Sequence, residues 1–168
     1  MHEELWQPLV APVLCRSLDL RPECLYSEVP TRDGSRADLV YAVQDRLIVF
    51  ELKMGQHEAV TKLDNRALRQ LRHYRSAANA VYLVSVVCPR EWSIAYDGAV
   101  IRCDPLEAQA LPAGVGWIGF DRLSLEAAVL HPAPELEPDR EHKQFMVNHL
   151  LGRLQRASKQ LKYLGAAG

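Results

Sequence analysis

The sequence is short of the features that settle a function by themselves. Its 20 basic and 21 acidic residues leave a net charge of −1 over 168 residues. No global basic excess draws it to nucleic acid, so any polyanion-binding surface has to come from local clustering. No run approaches the roughly 18 apolar residues of a membrane span. The opening stretch MHEELWQPLV has acidic residues where a secretory leader carries basic ones, and a cytoplasmic protein is expected. Four cysteines occur, at 15, 24, 88 and 103, with no CxxC pair. That spacing argues against structural zinc or an iron–sulfur cluster and makes them small core residues of a reducing compartment. The six histidines are dispersed without an HxxxH pair, and none has an obvious acidic or nucleophilic partner in sequence. A P-loop, a GxSxG motif, internal repeats and low-complexity tracts are missing as well. What remains is a chain of ordinary globular composition and of one domain's length.

The apolar pattern reads as αβββαβ, then smaller pieces and a terminal helix. Residues 3 to 18 look helical, with Leu5, Leu9 and Val13 along one side. Pro8 fits the first turn, and Pro12 implies a kink or a restart. Cys24 to Val29 reads as a strand, closed by a turn on Asp33-Gly34. Ala37 to Val43 and Arg46 to Met54 form a hairpin whose strands are apolar on both faces, the mark of interior strands covered by helices. A helix over 58–78 carries the core stripe Val60, Leu63, Ala67, Leu71 and Tyr74. The run AVYLVSVV over 80–87 is a buried strand reached by a crossover. Short strands are expected at 99–103, 114–120 and 126–130, with a helical turn at 105–110 and a proline-rich connector over 131–138. The last helix covers 140–164. The fold class is α/β, a mixed central sheet flanked by helices, in a single domain over 1–168 with its core at 24–87.

The hairpin concentrates the chemistry. With Gln44-Asp45 as a two-residue loop, Val43 pairs with Arg46, and counting outwards sets Asp38 opposite Glu51. Facing residues on antiparallel strands have Cβ atoms about 5 Å apart. Two carboxylates at that separation can share a hard cation, which takes oxygen ligands. Lys53, two residues beyond Glu51, points to the same face. Charges on an interior strand are costly without a partner, and a divalent metal is the expected one. Counting back through a loop centred on Asp33 brings Glu28 opposite Asp38 as a third carboxylate. On the next helix Gln70 lies at the margin of the apolar stripe, where it can orient a water or contact a phosphate.

Asp38, then Glu51-Leu52-Lys53 after an apolar strand, then Gln70-Leu-Arg-His-Tyr74 in the following helix, together resemble the PD-(D/E)XK nuclease superfamily. The likeness covers residues 24–87. Ala37-Asp38 stands where the family has Pro-Asp. The QxxxY motif is similar to that of RecB-like exonuclease members, although the cysteine cluster common there is missing. The resemblance implies a restriction-endonuclease-like fold and metal-dependent hydrolysis of DNA. Asp38, Glu51 and the Leu52 carbonyl would hold Mg²⁺ or Mn²⁺, and Glu28 would reach a second metal directly or through water. Lys53 would position or activate the attacking water. A nuclease core of this size often needs a second copy or a fused reader, so a homodimer or larger nucleoprotein complex is expected. The alternative is a nuclease-like fold with little or no catalysis, kept for DNA binding or complex assembly.

Each residue also has an ordinary reading. Asp38 can cap a strand end, and Glu51 with Lys53 can be a surface pair worth under about 1 kcal/mol. A tyrosine on the stripe, Tyr74, is ordinarily core. Arg66, Arg69, Arg72 and Arg75 sweep a broad outer face of the long helix, as solvated charges or as phosphate contacts. The terminal helix sets Met146, Leu150, Leu154, Ala157, Leu161 and Leu164 on one arc. Arg156, Lys159 and Lys162 fall largely opposite, with Arg153 at the boundary, and phosphate contact by either set would be salt-sensitive. Trp117 reads as core.

Overall fold

The computed structural model describes residues 6–54, 65–87, 96–97, 100–101, 111–122 and 124–167. The chain opens with helix α1 (Gln7–Leu18) and a short 3₁₀ turn (Pro22–Cys24). Strands β1 (Leu25–Pro30), β2 (Arg36–Val43) and β3 (Arg46–Met54) follow, then helix α2 (Asn65–Ala77) and strand β4 (Ala80–Val87). Two-residue strands β5 (Tyr96–Asp97) and β6 (Val100–Ile101) pair with each other. Strands β7 (Gly116–Asp121) and β8 (Glu126–His131) and helix α3 (Arg140–Ala167) complete the chain.

Six strands make one mixed sheet in the order β1-β2-β3-β4-β7-β8. The first three are antiparallel, β3, β4 and β7 are parallel, and β8 returns antiparallel at the far edge. Parallel neighbours such as β3 and β4 cannot be joined by a tight turn. The segment containing α2 makes that crossover. The αβββαβ order and the α/β class expected from sequence are those observed.

Both sheet faces are covered. On one side α1 sets Val10, Val13 and Leu14 against Leu39, Ile48, Phe50, Leu52, Val84, Ile118 and Phe120. On the other, Leu71, Tyr74 and Ala77 of α2 and Met146 and Leu150 of α3 close over Val40, Leu47, Val49, Val81 and Leu83. Alternate residues of a strand face opposite ways. The β3 row Leu47, Val49 therefore continues as Glu51 and Lys53 on the α2–α3 side.

The helices depart from expectation in their faces. In α1 the buried residues are Val10, Val13, Leu14 and Cys15, while Leu9 is 46% exposed. Pro8 and Pro12 occupy the solvent side, and Pro12 sits within one unbroken helix. In α3 the apolar arc packs at Met146 and Leu150, whereas Leu154 is 50% exposed. Cys15 is buried and Cys24 half-buried. Cys88, Cys103, the turn at 105–110 and the first part of the long helix lie outside the described residues.

Trp117 is core, with its indole N–H donating to Ser85 Oγ at 2.7 Å. The run Gly114-Val-Gly-Trp-Ile-Gly119 spells the G-x-G-x-x-G of dinucleotide-binding turns. Here Gly116 to Gly119 lie inside β7, which leads to β8 and not to a helix. The motif needs a strand-to-helix turn to cradle a pyrophosphate, so the spelling carries no such site. Gly116 has a packing reason instead: a Cβ there would meet the Tyr82 ring at 2.6 Å and the Ala133 nitrogen at 2.5 Å.

Candidate active site

The hairpin register is the one that counting gives. Val43 pairs with Arg46 and Leu39 with Phe50, which carries Asp38 into line with Glu51. Gln44 takes the left-handed conformation, φ 56°, that a two-residue hairpin loop requires. Beyond Phe50, the Leu52 N–H donates to Asp38 Oδ2 at 2.7 Å. The Asp38 carboxylate is thereby fixed against the β3 backbone one residue from Glu51. From the opposite face Gln7 of α1 donates its side-chain amide to the Asp38 carbonyl oxygen.

Glu51 is the anomaly of the site. It is 4% exposed, and its Oε2 is buried with no hydrogen-bond partner. Lys53 Nζ stands 3.7 Å from Oε1, too far for a strong charge-assisted hydrogen bond. Tyr74 is fully buried beneath, and its one hydroxyl proton goes to the Arg36 carbonyl oxygen at 2.8 Å. That hydroxyl therefore has no proton to offer Glu51. Burial, then the charge of Asp38, push the Glu51 pKa up to about 8 against the opposing pull of Lys53. Burial and the same two carboxylates also raise that of Tyr74.

Around this pair opens a cleft of about 790 Å³. Asp38, Glu51 and Lys53 form its floor, Arg66, Ala67, Arg69, Gln70 and His73 of α2 one wall, and residues 33–36 another. The α2 positions recur at i, i+3, i+4 and i+7, so one helix face is turned to the cleft. Gln70 is on it, as the sequence implied, and so are Arg66 and Arg69. Arg72 is exposed and not part of the wall. Tyr74 is likewise not placed to contact a nucleic acid, because it is buried as a brace between α2 and β2.

Glu28 keeps its register, since Ser27 pairs with Leu39 and Val29 with Ala37 on either side of it. Its backbone, however, is left-handed at φ 53°, and it does not line the cleft. A single left-handed residue breaks the pleat that a face-counting argument assumes. Among the described residues no group of three or more His, Cys, Asp or Glu side chains is placed to hold a metal. A cation here would have Asp38, Glu51 and a backbone carbonyl as protein donors. The orphaned oxygen of Glu51 fits such a cation, which would hold the carboxylate ionised and occupy its unused lone pairs.

Sequence reading missed an Asp33–His73 pair at the rim. His73 Nε2 lies 3.3 Å from Asp33 Oδ2. Asp33 also accepts from the hydroxyls of Thr31 and Ser35, the latter at 2.9 Å, inside a turn closed by Gly34 at φ 90°. Burial works to raise the Asp33 pKa, but those hydroxyls and the imidazole outweigh it and hold the carboxyl below its ordinary value. The partners are forty residues apart, and the only local signal was the Thr-x-Asp-Gly-Ser turn itself.

No protein-family model matches the chain, and no curated protein matches it. Solved structures do. SPO1766, a protein of unknown function from Silicibacter pomeroyi, is 19% identical and superposes with a TM-score of 0.54. That match covers 91% of this chain and 88% of the other. SfsA of Pyrococcus furiosus, solved in complex with Ca²⁺, is 18% identical over 80% of this chain and 63% of its own, with a TM-score of 0.36. At these identities a likeness bears on the fold alone. The first supports the α/β architecture, and the second is too loose to add to it.

Proposed function

We propose that this chain is a metal-dependent nuclease of the PD-(D/E)XK type, hydrolysing phosphodiester bonds in DNA. The observation that carries the reading is Glu51: a buried carboxylate with an unpartnered oxygen, aligned with Asp38 and flanked by Lys53 at the floor of a polar cleft. Asp38, Glu51 and the Leu52 carbonyl would hold Mg²⁺ or Mn²⁺. When bound, such an ion supplies an activated water and offsets charge on the phosphate.

The remaining work falls to the chain's own side chains. Lys53 donates a hydrogen bond from its ammonium to the oxygen of the attacking water and so positions it, while the water's proton leaves to bulk solvent. Gln70, on the α2 face of the cleft, fixes that water or a non-bridging phosphate oxygen by hydrogen bonding. Arg66 and Arg69 on the same face offset the phosphate charges on either side. Tyr74, braced on the Arg36 carbonyl, holds α2 against β2 beside the cleft that Gln70 and Glu51 line.

The purified chain should cut linear, circular, single-stranded or branched DNA in Mg²⁺ or Mn²⁺. Glu51→Ala and Lys53→Ala should each lower the rate by at least ~100-fold, the scale of a lost acid–base or charge-stabilising group. Cleavage unaffected by either substitution sinks the assigned roles. The second reading, a DNA-binding or assembly module without catalysis, is favoured by the sparse donor set of two carboxylates. Calorimetry with Mn²⁺ separates the two: heat that disappears in Asp38→Ala supports the nuclease, and none in the unaltered chain supports the module.

A further inference from the structure

Five arginines outside α2 divide by their partners. Arg32 and Arg46 form ion pairs with Glu141 and Glu135, and they tie loops to the body. Arg36, Arg153 and Arg156 form no ion pair among the described residues. Arg36 opens β2 at the cleft wall, opposite Pro30 of the edge strand β1. Helix α3 packs on that same strand, where the Arg153 guanidinium donates to the Ser27 and Glu28 carbonyl oxygens at 2.5 and 2.6 Å. Neutral carbonyls satisfy its N–H groups without cancelling its charge.

Beside Arg153 sits His149, which accepts from its Nε at 2.9 Å. An imidazole that accepts at Nε2 is neutral. Burial lowers its pKa, and so do the charges of Arg153, Arg156 and Arg36, which all bear on it. Three cations thus converge where β1 meets α3. Even counted against Glu28 of the same strand, the cluster keeps a positive excess.

Helix α3 extends that excess outward. It holds no acidic residue after Glu141. Every residue from Leu154 to Gln160, and Lys162, is exposed, so this stretch runs roughly 12 Å past the last packed turn at 1.5 Å per residue. The departure point is close to the chemistry. Glu28, whose carbonyl holds Arg153, is in register with Asp38 and hence with Glu51, two strand spacings or about 10 Å across the sheet.

We propose that Arg36, Arg153, Arg156, Lys159 and Lys162 form a phosphate-contacting track that leads from the cleft over the β1 edge and along α3, binding the DNA backbone away from the bond to be cut. The proposal rests on the nuclease reading for its ligand, and beyond Arg36 of the cleft wall it adds contacts on α3 that the cleft does not contain. Contacts of this kind fix the register of a strand without reading its bases.

The test is binding of fluorescein-labelled single-stranded and duplex DNA by anisotropy across a salt series, in chelator so that no cleavage intervenes. Each phosphate contact contributes about 0.7–0.9 to the slope of log affinity against log salt. The triple variant Arg156→Gln, Lys159→Gln, Lys162→Gln should lower that slope by about 2–3. Arg46→Gln, an equally exposed arginine already paired with Glu135, should leave it unchanged. All four positions are exposed, and a thermal melt checks that each variant is folded. An unchanged slope in the triple variant overturns the track while leaving the cleft reading intact. An equal loss from Arg46→Gln also overturns it, because general charge then explains the effect. Track-dependent binding without cleavage in Mg²⁺ or Mn²⁺ upholds the track and removes the nuclease reading. No binding to either DNA form removes the track, and cleavage in Mg²⁺ or Mn²⁺ then decides the nuclease reading by itself.

Discussion

At the scale of single residues, Glu51 sets the terms. A carboxyl held near pKa 8 stays protonated in the folded chain at a pH where the unfolded chain, with its ordinary value of about 4.5, has released the proton. The folded state then binds more protons than the unfolded one, so stability falls as pH rises. The contribution is fully present below about 4.5 and lost on passing through about 8. Without divalent metal, the melting temperature should therefore fall across that window, each ~1 kcal/mol moving it about 2–4 °C for a chain of this size. Glu51→Gln should flatten the fall, and saturating Mn²⁺ should do so for the unaltered chain. A melt as steep in Glu51→Gln as in the unaltered chain refutes the assignment. Tyr74 makes a separate prediction. Tyr74→Phe keeps the buried ring but strands the Arg36 carbonyl, at a cost of about 1–2 kcal/mol by denaturant titration. A loss near zero would mean that water satisfies that carbonyl. The QxxxY spelling marked this tyrosine as a feature of the site, but not that its contribution comes from beneath the cleft.

At the scale of elements, the hairpin was legible because its turn leaves little freedom. Two loop residues fix the pairing, and a period of two then assigns every side chain to a face. Asp38, Glu51 and Lys53 follow from that arithmetic. The same arithmetic carried to Glu28 gave the correct register, but its left-handed backbone takes it away from the cleft. Pairing is a matter of count, whereas facing depends on local dihedrals that composition does not reveal. The faces of α1 and α3 were harder still, since which side of a helix is buried depends on what it lands against. Leu9 and Leu154 fit their stripes by spacing and are half exposed. Strand β7 offers a test of packing that spacing did not foresee. Gly116→Ala would drive a methyl group into the Tyr82 ring and the Ala133 backbone, at about 1–3 kcal/mol for an overpacked core. An alanine variant with unchanged chemical denaturation would show that β8 and the following segment yield easily.

At the scale of the whole molecule, the two-sided sheet divides labour between its faces. The α1 face is a closed apolar core, and the α2–α3 face changes from core to cleft within one strand, between Val49 and Glu51. Residues far apart in sequence, Asp33 with His73 and Ser76 with His142, meet only because α2 and α3 pack on that face. No local pattern could announce them. The division also predicts where stability ends. Helix α3 is held by Met146 and Leu150 in the core and by Arg153 on the β1 carbonyls, while Leu154 to Gln160 are exposed. A chain ending after Arg153 should melt within about 2–4 °C of the full chain, the shift that ~1 kcal/mol produces at this size. Ending it before Met146 removes two core side chains and should cost several times as much, since each large buried side chain lost costs about 2–5 kcal/mol. Equal melting of the two truncations would mean that α3 does not close the core, and a large drop in the first would mean that its outer half packs on the body or on a second copy.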